Sequence, residues 1–257
     1  MKRKASKARK LLKTKKLDPM KKIRETAERA QSAYWKALSR FKVARPVARA
    51  RNVARALVGG FSNPSKMPCF GWSTPASDCV TGTYLRAVVN SICSICYALK
   101  GRYVFENTVV AMTRRRNSLK TLGFDAWAAA MATALSGESF FRAMDSGDLS
   151  GDDRAAHLVA WVQVARLAPW CQIWLPTREA YTVHSYLVEN KDFPPNLTVR
   201  VSLPMQGMPR PKGAGSAYLT SGVEVTGSCP APKQGGFCTD CRKCWNKKDL
   251  HVTYSAH

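Results

Sequence analysis

Acidic residues are scarce in this sequence: 17 Asp and Glu stand against 41 Lys and Arg, for a formal net charge of +24. Histidine is rarer still, with four residues, which leaves little room for an imidazole-based metal site. No stretch approaches the ~18 consecutive apolar residues of a membrane helix. Behind the charged start, Leu11 and Leu12 are the only apolar residues before residue 16, so no secretory h-region follows. Neither a helix-turn-helix nor a zinc-finger spacing is present, which argues against base-specific readout. These shortages predict a protein kept in a reducing cytoplasm, with no membrane partner. In that setting the nine cysteines read as metal ligands or reactive groups rather than disulfides.

The charge is unevenly spread. Residues 1–58 hold 20 of the 41 Lys and Arg but only three acids, Asp18, Glu25 and Glu28, and so carry +17. The remaining residues carry +7. Residues 1–16 are mostly cationic and repel themselves, so they are expected to be disordered alone. Asp18-Pro19 reads as a helix start, followed by a weakly amphipathic helix from Met20 to about Ser39. Val47–Val58 reads as a second short basic helix, closed by Gly59-Gly60. A basic, helical or disordered arm over residues 1–60 and a cysteine-rich α/β domain over residues 61–257 are therefore expected. The partner expected for residues 1–58 is nucleic acid, through phosphate contacts that release counterions.

The sharpest chemical signal is Cys229, Cys238, Cys241 and Cys244. Two consecutive C-x-x-C steps bring three sulfurs together, and Cys229 reaches them across a glycine-bearing turn. Four thiolates suit a [4Fe–4S] cluster or a structural zinc, and the ferredoxin-like spacing favours iron. Cys79, Cys93 and Cys96, followed by Tyr97, form a second set. Three cysteines hold a four-iron cluster with one iron open, unless Cys69 closes the site. Cys171, in an apolar context, reads as a buried structural thiol.

From Phe61 onward, apolar runs alternate with helical periodicity. Strands are expected at Ser139–Met144, Cys171–Leu175, Leu197–Leu203, Gly222–Thr226 and His251–Ser255. Helices are expected at Asn107–Leu119, Phe124–Leu135, Asp152–Leu167 and Glu179–Glu189. Strands separated by single helices imply βαβ units and a mainly parallel sheet. Ligands of such sheets lie beyond the carboxyl ends of the strands. Asp145, Asp148, Thr177, Arg178 and Cys229 all fall there. Asp145-Ser-Gly-Asp148 also reads as a turn that caps the next helix. His157 and His184 fall inside helices and are not expected to be ligands, whereas His251 and His257 lie near the last cysteines.

In order along the chain stand a Ser-Thr-Pro-Ala stretch, a Cys-x-x-Cys-Tyr-Ala element, Arg102-Tyr103 and Phe-Arg-x-x-Asp-Ser-Gly-Asp. Pro-Thr-Arg, the Cys-x-x-Cys-x-x-Cys-Trp segment and a C-terminal His follow. Over about residues 65–257 this resembles the tailed-phage gene product eighty-eight family, which implies the cytoplasm of an infected bacterial host. More distantly it resembles the radical S-adenosylmethionine enzymes, which carry a C-x-x-x-C-x-x-C-aromatic motif on a partial (β/α) barrel. Cys93, Cys96 and Tyr97 match the end of that motif. Cys79 stands as the first ligand, with 13 residues before Cys93 where that motif has three. The resemblance implies a [4Fe–4S] cluster on Cys79, Cys93 and Cys96, with S-adenosylmethionine on its open iron. An electron donor and reductive cleavage to a 5′-deoxyadenosyl radical are implied with them. Tyr97, Asp145 and Asp148 would contact the cofactor, Asp145, Asp148 and Arg178 would serve the reaction, and the Cys229–Cys244 set would be auxiliary or structural. The alternative is a non-enzymatic DNA- or RNA-binding protein with structural iron–sulfur or zinc sites.

Overall fold

A computed structural model describes residues 46–149 and 153–255. The expected disordered start and the Met20–Ser39 helix lie outside the described residues. Residues 44–257 form one compact unit.

The chain runs α1 (Pro46–Leu57), β1 (Gly71–Trp72), α2 (Val80–Arg86), α3 (Glu106–Ala134), β2 (Phe140–Ala143), α4 (Arg154–Leu167), β3 (Gln172–Thr177), α5 (Ala180–Asn190), β4 (Leu197–Gln206), β5 (Leu219–Glu224) and β6 (His251–Ser255). The six strands lie in one sheet in chain order, β1 to β6. Every neighbouring pair is parallel. The sheet does not close. A parallel sheet whose spatial order follows chain order has no reversal point, which sets it apart from doubly wound folds. It is the α/β architecture with a parallel sheet that the strand–helix alternation predicts, left open as in the partial barrel that the family resemblance implies.

The core between sheet and helices is aromatic. Trp72 of β1, Trp127 of α3 and Trp161 of α4 are fully buried. Their rings meet edge to face at 5.1 Å (Trp72–Trp127 and Trp127–Trp161). His157 is buried among them, and burial lowers its pKa to about 3. It is a core histidine, as its helical position predicts.

α1 belongs to this unit although its composition is that of the basic arm. Ala54 and Val58 are buried in the core. The Val58 carbonyl accepts a 2.9 Å bond from the Trp72 indole. Arg55 pairs with Glu138 at 2.5 Å and donates to the Ala134 carbonyl. Beyond α1 the chain turns through Gly59, with φ +81, where an added Cβ would stand 2.6 Å from the Arg115 Cα. Only glycine permits that approach.

The strand–helix rhythm fails at both ends of the sheet. β1 is two residues long and carries no periodicity that sequence inspection could find. After β4 no crossover is built on an α-helix. The β4–β5 link is a loop, and the β5–β6 link holds only the 3₁₀ turns Ala231–Gln234 and Lys243–Trp245. All seven expected cysteine ligands sit in two links, β1–β2 and β5–β6.

Candidate metal centres at the sheet's carboxyl ends

The β1–β2 link carries the first group. Cys79 is the N-cap of α2, Cys93 lies in the turn Ile92–Ile95, and Cys96 follows it. Ser91 fixes this turn: its hydroxyl accepts from the Ser94 N–H at 3.1 Å and donates to the Leu85 carbonyl. A bridge from Ser91 to Met205 ties the loop to β4. Gly82 faces both sulfurs. A Cβ at that position would meet Cys79 Sγ and Cys93 Sγ, each at 3.8 Å.

Two strand-end loops supply the polar groups around these sulfurs. Past β2, Gly147 adopts φ +77, and a Cβ there would lie 2.1 Å from Thr74 Oγ1 and 2.6 Å from the Thr74 carbonyl. Ser146 and Thr74 are zipped by backbone and hydroxyl bonds. The Ser-Thr-Pro and Asp-Ser-Gly-Asp stretches are thus one interlocked structure. Asp148 accepts from Thr177 Oγ1 at 2.5 Å and from the N–H groups of Leu149 and Arg178 at 2.8 Å each. Burial pushes its carboxyl up to about 6 against those three bonds. Arg178 meets Asp148 through its backbone. Its guanidinium donates to the Ser202 and Leu203 carbonyls of β4.

Asp145 is buried, and its carbonyl accepts from the Tyr97 hydroxyl at 2.7 Å. Its Oδ1 has no hydrogen-bond partner among the described residues. Glu179, also buried, pairs with Arg154 at 2.9 Å and receives the Thr81 N–H, which docks α2 on the end of β3.

One electrostatic neighbourhood results. Burial raises the Cys79 thiol, and Asp148, Cys96 and Cys93 raise it further against Arg86. Burial also raises Cys93, where Arg178 opposes the shift by charge and by a hydrogen bond. Cys79, Cys93, Cys96, Asp148 and Arg178 therefore act on one another electrostatically; of these, Asp148 and Arg178 are the ones whose place past strand ends is read from the sequence. Tyr97 adjoins them through Asp145.

The second group hangs between β5 and β6. The Cys229 N–H donates to the Thr253 carbonyl and the Cys238 N–H to the Lys66 carbonyl, both at 2.9 Å. Cys244 Sγ lies 3.5 Å from the Tyr254 hydroxyl. Trp245 anchors the loop, donating to the Phe141 carbonyl at 2.9 Å while its carbonyl accepts from Thr198. Burial raises Cys244 to about 11, with Arg200 and Arg142 opposing and Cys229 adding to the shift. Cys238 is raised by burial and by its neighbours Cys229 and Cys241.

Cys69 sides with this second group and does not close the first. Its thiol is pushed up to about 12 by burial, beside Cys238, Arg142 and Arg242. Cys171 is fully buried, as its apolar context predicts. All nine cysteines are free thiols, and no group of three or more Cys, His, Asp or Glu among the described residues is arranged to hold a metal ion. Sequence reasoning missed Arg142 and Arg200, two cations from the sheet that act on the thiols of the second group. Each looks like one charge within a strand, and nothing in that pattern reveals what it faces.

Among the described residues no helix is long and apolar enough to cross a membrane. No curated protein and no solved structure matches the chain. A family model described as Gene product 88 matches residues 21–247. The match begins well before residue 65, where the motif resemblance starts, and so takes in much of the basic region as well as both cysteine groups. The chain belongs to the phage gene product 88 family.

Proposed function

We propose that this protein is an iron–sulfur protein whose first centre, on Cys79, Cys93 and Cys96, acts in the manner of the radical S-adenosylmethionine enzymes. The observation that carries the reading is the gathering of those three thiols with Asp148 and Arg178 past the carboxyl ends of β1, β2 and β3. By residue type the donor set suits the group, although the three thiols are not arranged as a ligand cluster among the described residues. The ligands would be three soft sulfurs in one link of the chain, with the Arg178 cation beside Cys93. Thiols raised by burial stay protonated until a metal displaces their protons, so loading is expected to release protons.

Cys79, Cys93 and Cys96 would hold a [4Fe–4S] cluster, which would keep one iron for S-adenosylmethionine and, once reduced by an electron donor, would supply the electron for its cleavage. The chain's own residues shape the pocket. Asp148 is held rigidly by three donors, Arg178 places a positive charge at Cys93, and Asp145 offers a buried carboxylate oxygen to a donor. The basic N-terminal region is proposed to bring the centre to nucleic acid, its charge suiting phosphate.

The test is anaerobic purification with iron, sulfide and zinc measured per chain, followed by reduction with S-adenosylmethionine present. Roughly eight irons with equal sulfide would correspond to two four-iron clusters. Release of methionine and 5′-deoxyadenosine, lost on Cys93→Ala, is the expected result. Intact clusters without that release would overturn the enzymatic half. A colourless chain holding only zinc would sink the iron–sulfur reading and leave a zinc-stabilised nucleic-acid-binding protein.

A further inference from the structure

Arg200 is fully buried in β4, between β3 and β5, yet its guanidinium reaches the second cysteine loop. Nε donates to the Cys244 carbonyl at 3.1 Å. Nη2 donates to the carbonyls of Lys243 at 2.8 Å and Asn246 at 2.7 Å. Nη1 donates to Asp249 O at 2.6 Å and more weakly to Thr220 O at 3.5 Å. Four of these five acceptors lie in the seven-residue stretch 243–249. That stretch includes Cys244 and begins two residues after Cys241.

Carbonyl dipoles satisfy the donors of a guanidinium but do not cancel its net charge. A buried cation without a counter-charge is costly. Among the described residues Arg200 forms no ion pair with a carboxylate. The side chains whose negative charge would steady it are Tyr254, Cys244 and Asp249. Cys244 comes from the group whose other members the same loop delivers. Four thiolates around a metal core leave a net charge of about −2. Asp249 is the one carboxylate among those three side chains and makes no ion pair with Arg200, so such a group on the loop that Arg200 organises would supply the larger counter-charge.

We propose that Arg200 is the positioning residue of the Cys229–Cys244 centre: the Lys243–Asp249 loop is wound on this one fixed cation, whose charge is balanced by the metal–thiolate group the loop closes on. The proposal rests on the iron–sulfur reading above, but it concerns the second centre and not the reaction at the first. It also explains why the loop needs no helix, since a buried guanidinium replaces the carbonyl partners that helical N–H groups would supply.

The experiment compares the wild-type chain with Arg200→Lys and Arg200→Gln, purified anaerobically. Iron per chain is the first readout. The second is the midpoint potential of the C-terminal centre, isolated by replacing Cys79, Cys93 and Cys96 with Ala. Lysine keeps the charge and is expected to keep the iron and a potential near wild type. Glutamine is expected to shed the iron of the second centre while the first retains its own. Where glutamine does keep the iron, the reduced-to-oxidised ratio at the wild-type midpoint should fall about tenfold, or about 59 mV for one electron. Wild-type iron and potential in the Gln variant would overturn the proposal, as would equal damage from Lys and Gln with the first centre intact. A Gln variant that loses both centres has misfolded, and the Lys variant then decides by the same two readouts. A wild-type chain with zinc alone would defeat the iron–sulfur reading instead. Zinc lost from Gln but not from Lys would still uphold Arg200, and zinc kept by both would overturn it.

Discussion

His157 shows what a single buried group does to the whole. It is enclosed by Trp72, Phe124, Trp127 and Trp161, with ring centroids 5.7–6.4 Å away. Burial alone drives its pKa down to about 3. The unfolded chain takes up this proton near pH 6.5 and the folded chain does not until about pH 3. The unfolded state therefore binds more protons between those values, and stability falls as pH drops through that window. Between pH 7 and pH 5 the loss from this group is about 2 kcal/mol. Urea unfolding at the two pH values should show it, and His157→Phe should flatten the difference by that amount. An unchanged pH slope in the Phe variant would mean that the imidazole titrates elsewhere. Gly147 makes a second argument at this scale. Its left-handed φ and the Thr74 carbonyl 2.6 Å from a would-be Cβ leave Ala no place to go. Gly147→Ala should cost about 3 kcal/mol or more, from backbone strain plus the clash. Removing the hydroxyl with Thr74→Ala should not rescue it, because the carbonyl remains. Thermal denaturation of the single and double variants checks both statements.

At the scale of elements, α3 carries a prediction that its surroundings do not suggest. Gly123 interrupts this 29-residue helix with φ 71 and ψ 161, a region nearly closed to other residues. Nothing lies within 4 Å of a would-be Cβ there. Space alone would therefore make Gly123→Ala harmless, and helix propensity would make it favourable. Backbone conformation predicts instead a loss of about 1–3 kcal/mol, read from the urea midpoint at unchanged m-value. The same break was legible in the sequence, because the helical period lapses between Leu119 and Phe124. Most elements were legible in this way, each carrying a period of 2 or 3.6 over several turns. β1 was not, since two residues have no period. α1 reads as part of the arm because charge dominates its composition, whereas Ala54, Val58 and the Arg55–Glu138 pair tie it to the compact unit. The site divides similarly. Asp148 and Arg178 were legible because strand ends can be located. Arg200 and Arg142 were not, because a strand pattern says which face a residue takes and nothing about the loop waiting there. Cys69 is open in the sequence, where nearness to Cys79 makes it an alternative fourth ligand, whereas the fold pairs its segment with the loop around Cys238, 169 positions away.

The whole molecule joins an α/β unit to a strongly basic region, and the boundary between them decides how the basic region is tested. A cut after residue 58, where the charge contrast ends, would delete α1 and with it the Val58 carbonyl that holds Trp72. Any loss of binding would then be confounded with loss of fold. A cut after Val43 spares the compact unit and still removes 16 of the 41 Lys and Arg along with only three acids. Affinity for nucleic acid that depends on released counterions falls linearly in log–log form with salt. The slope is roughly 0.9 per phosphate contact on duplex DNA and 0.7 on single strands. If the basic region makes even five such contacts, its removal should flatten the slope by about 3.5–4.5 units, and affinity at low salt should drop by orders of magnitude. Fluorescence anisotropy of a labelled oligonucleotide, titrated with salt for the full chain and the chain starting at residue 44, measures both quantities. Metal content should be the same in the two chains, because every cysteine lies within residues 69–244. Equal slopes would place the phosphate contacts on the α/β unit, whose own net charge is also positive, and would remove the proposed role of the N-terminal region.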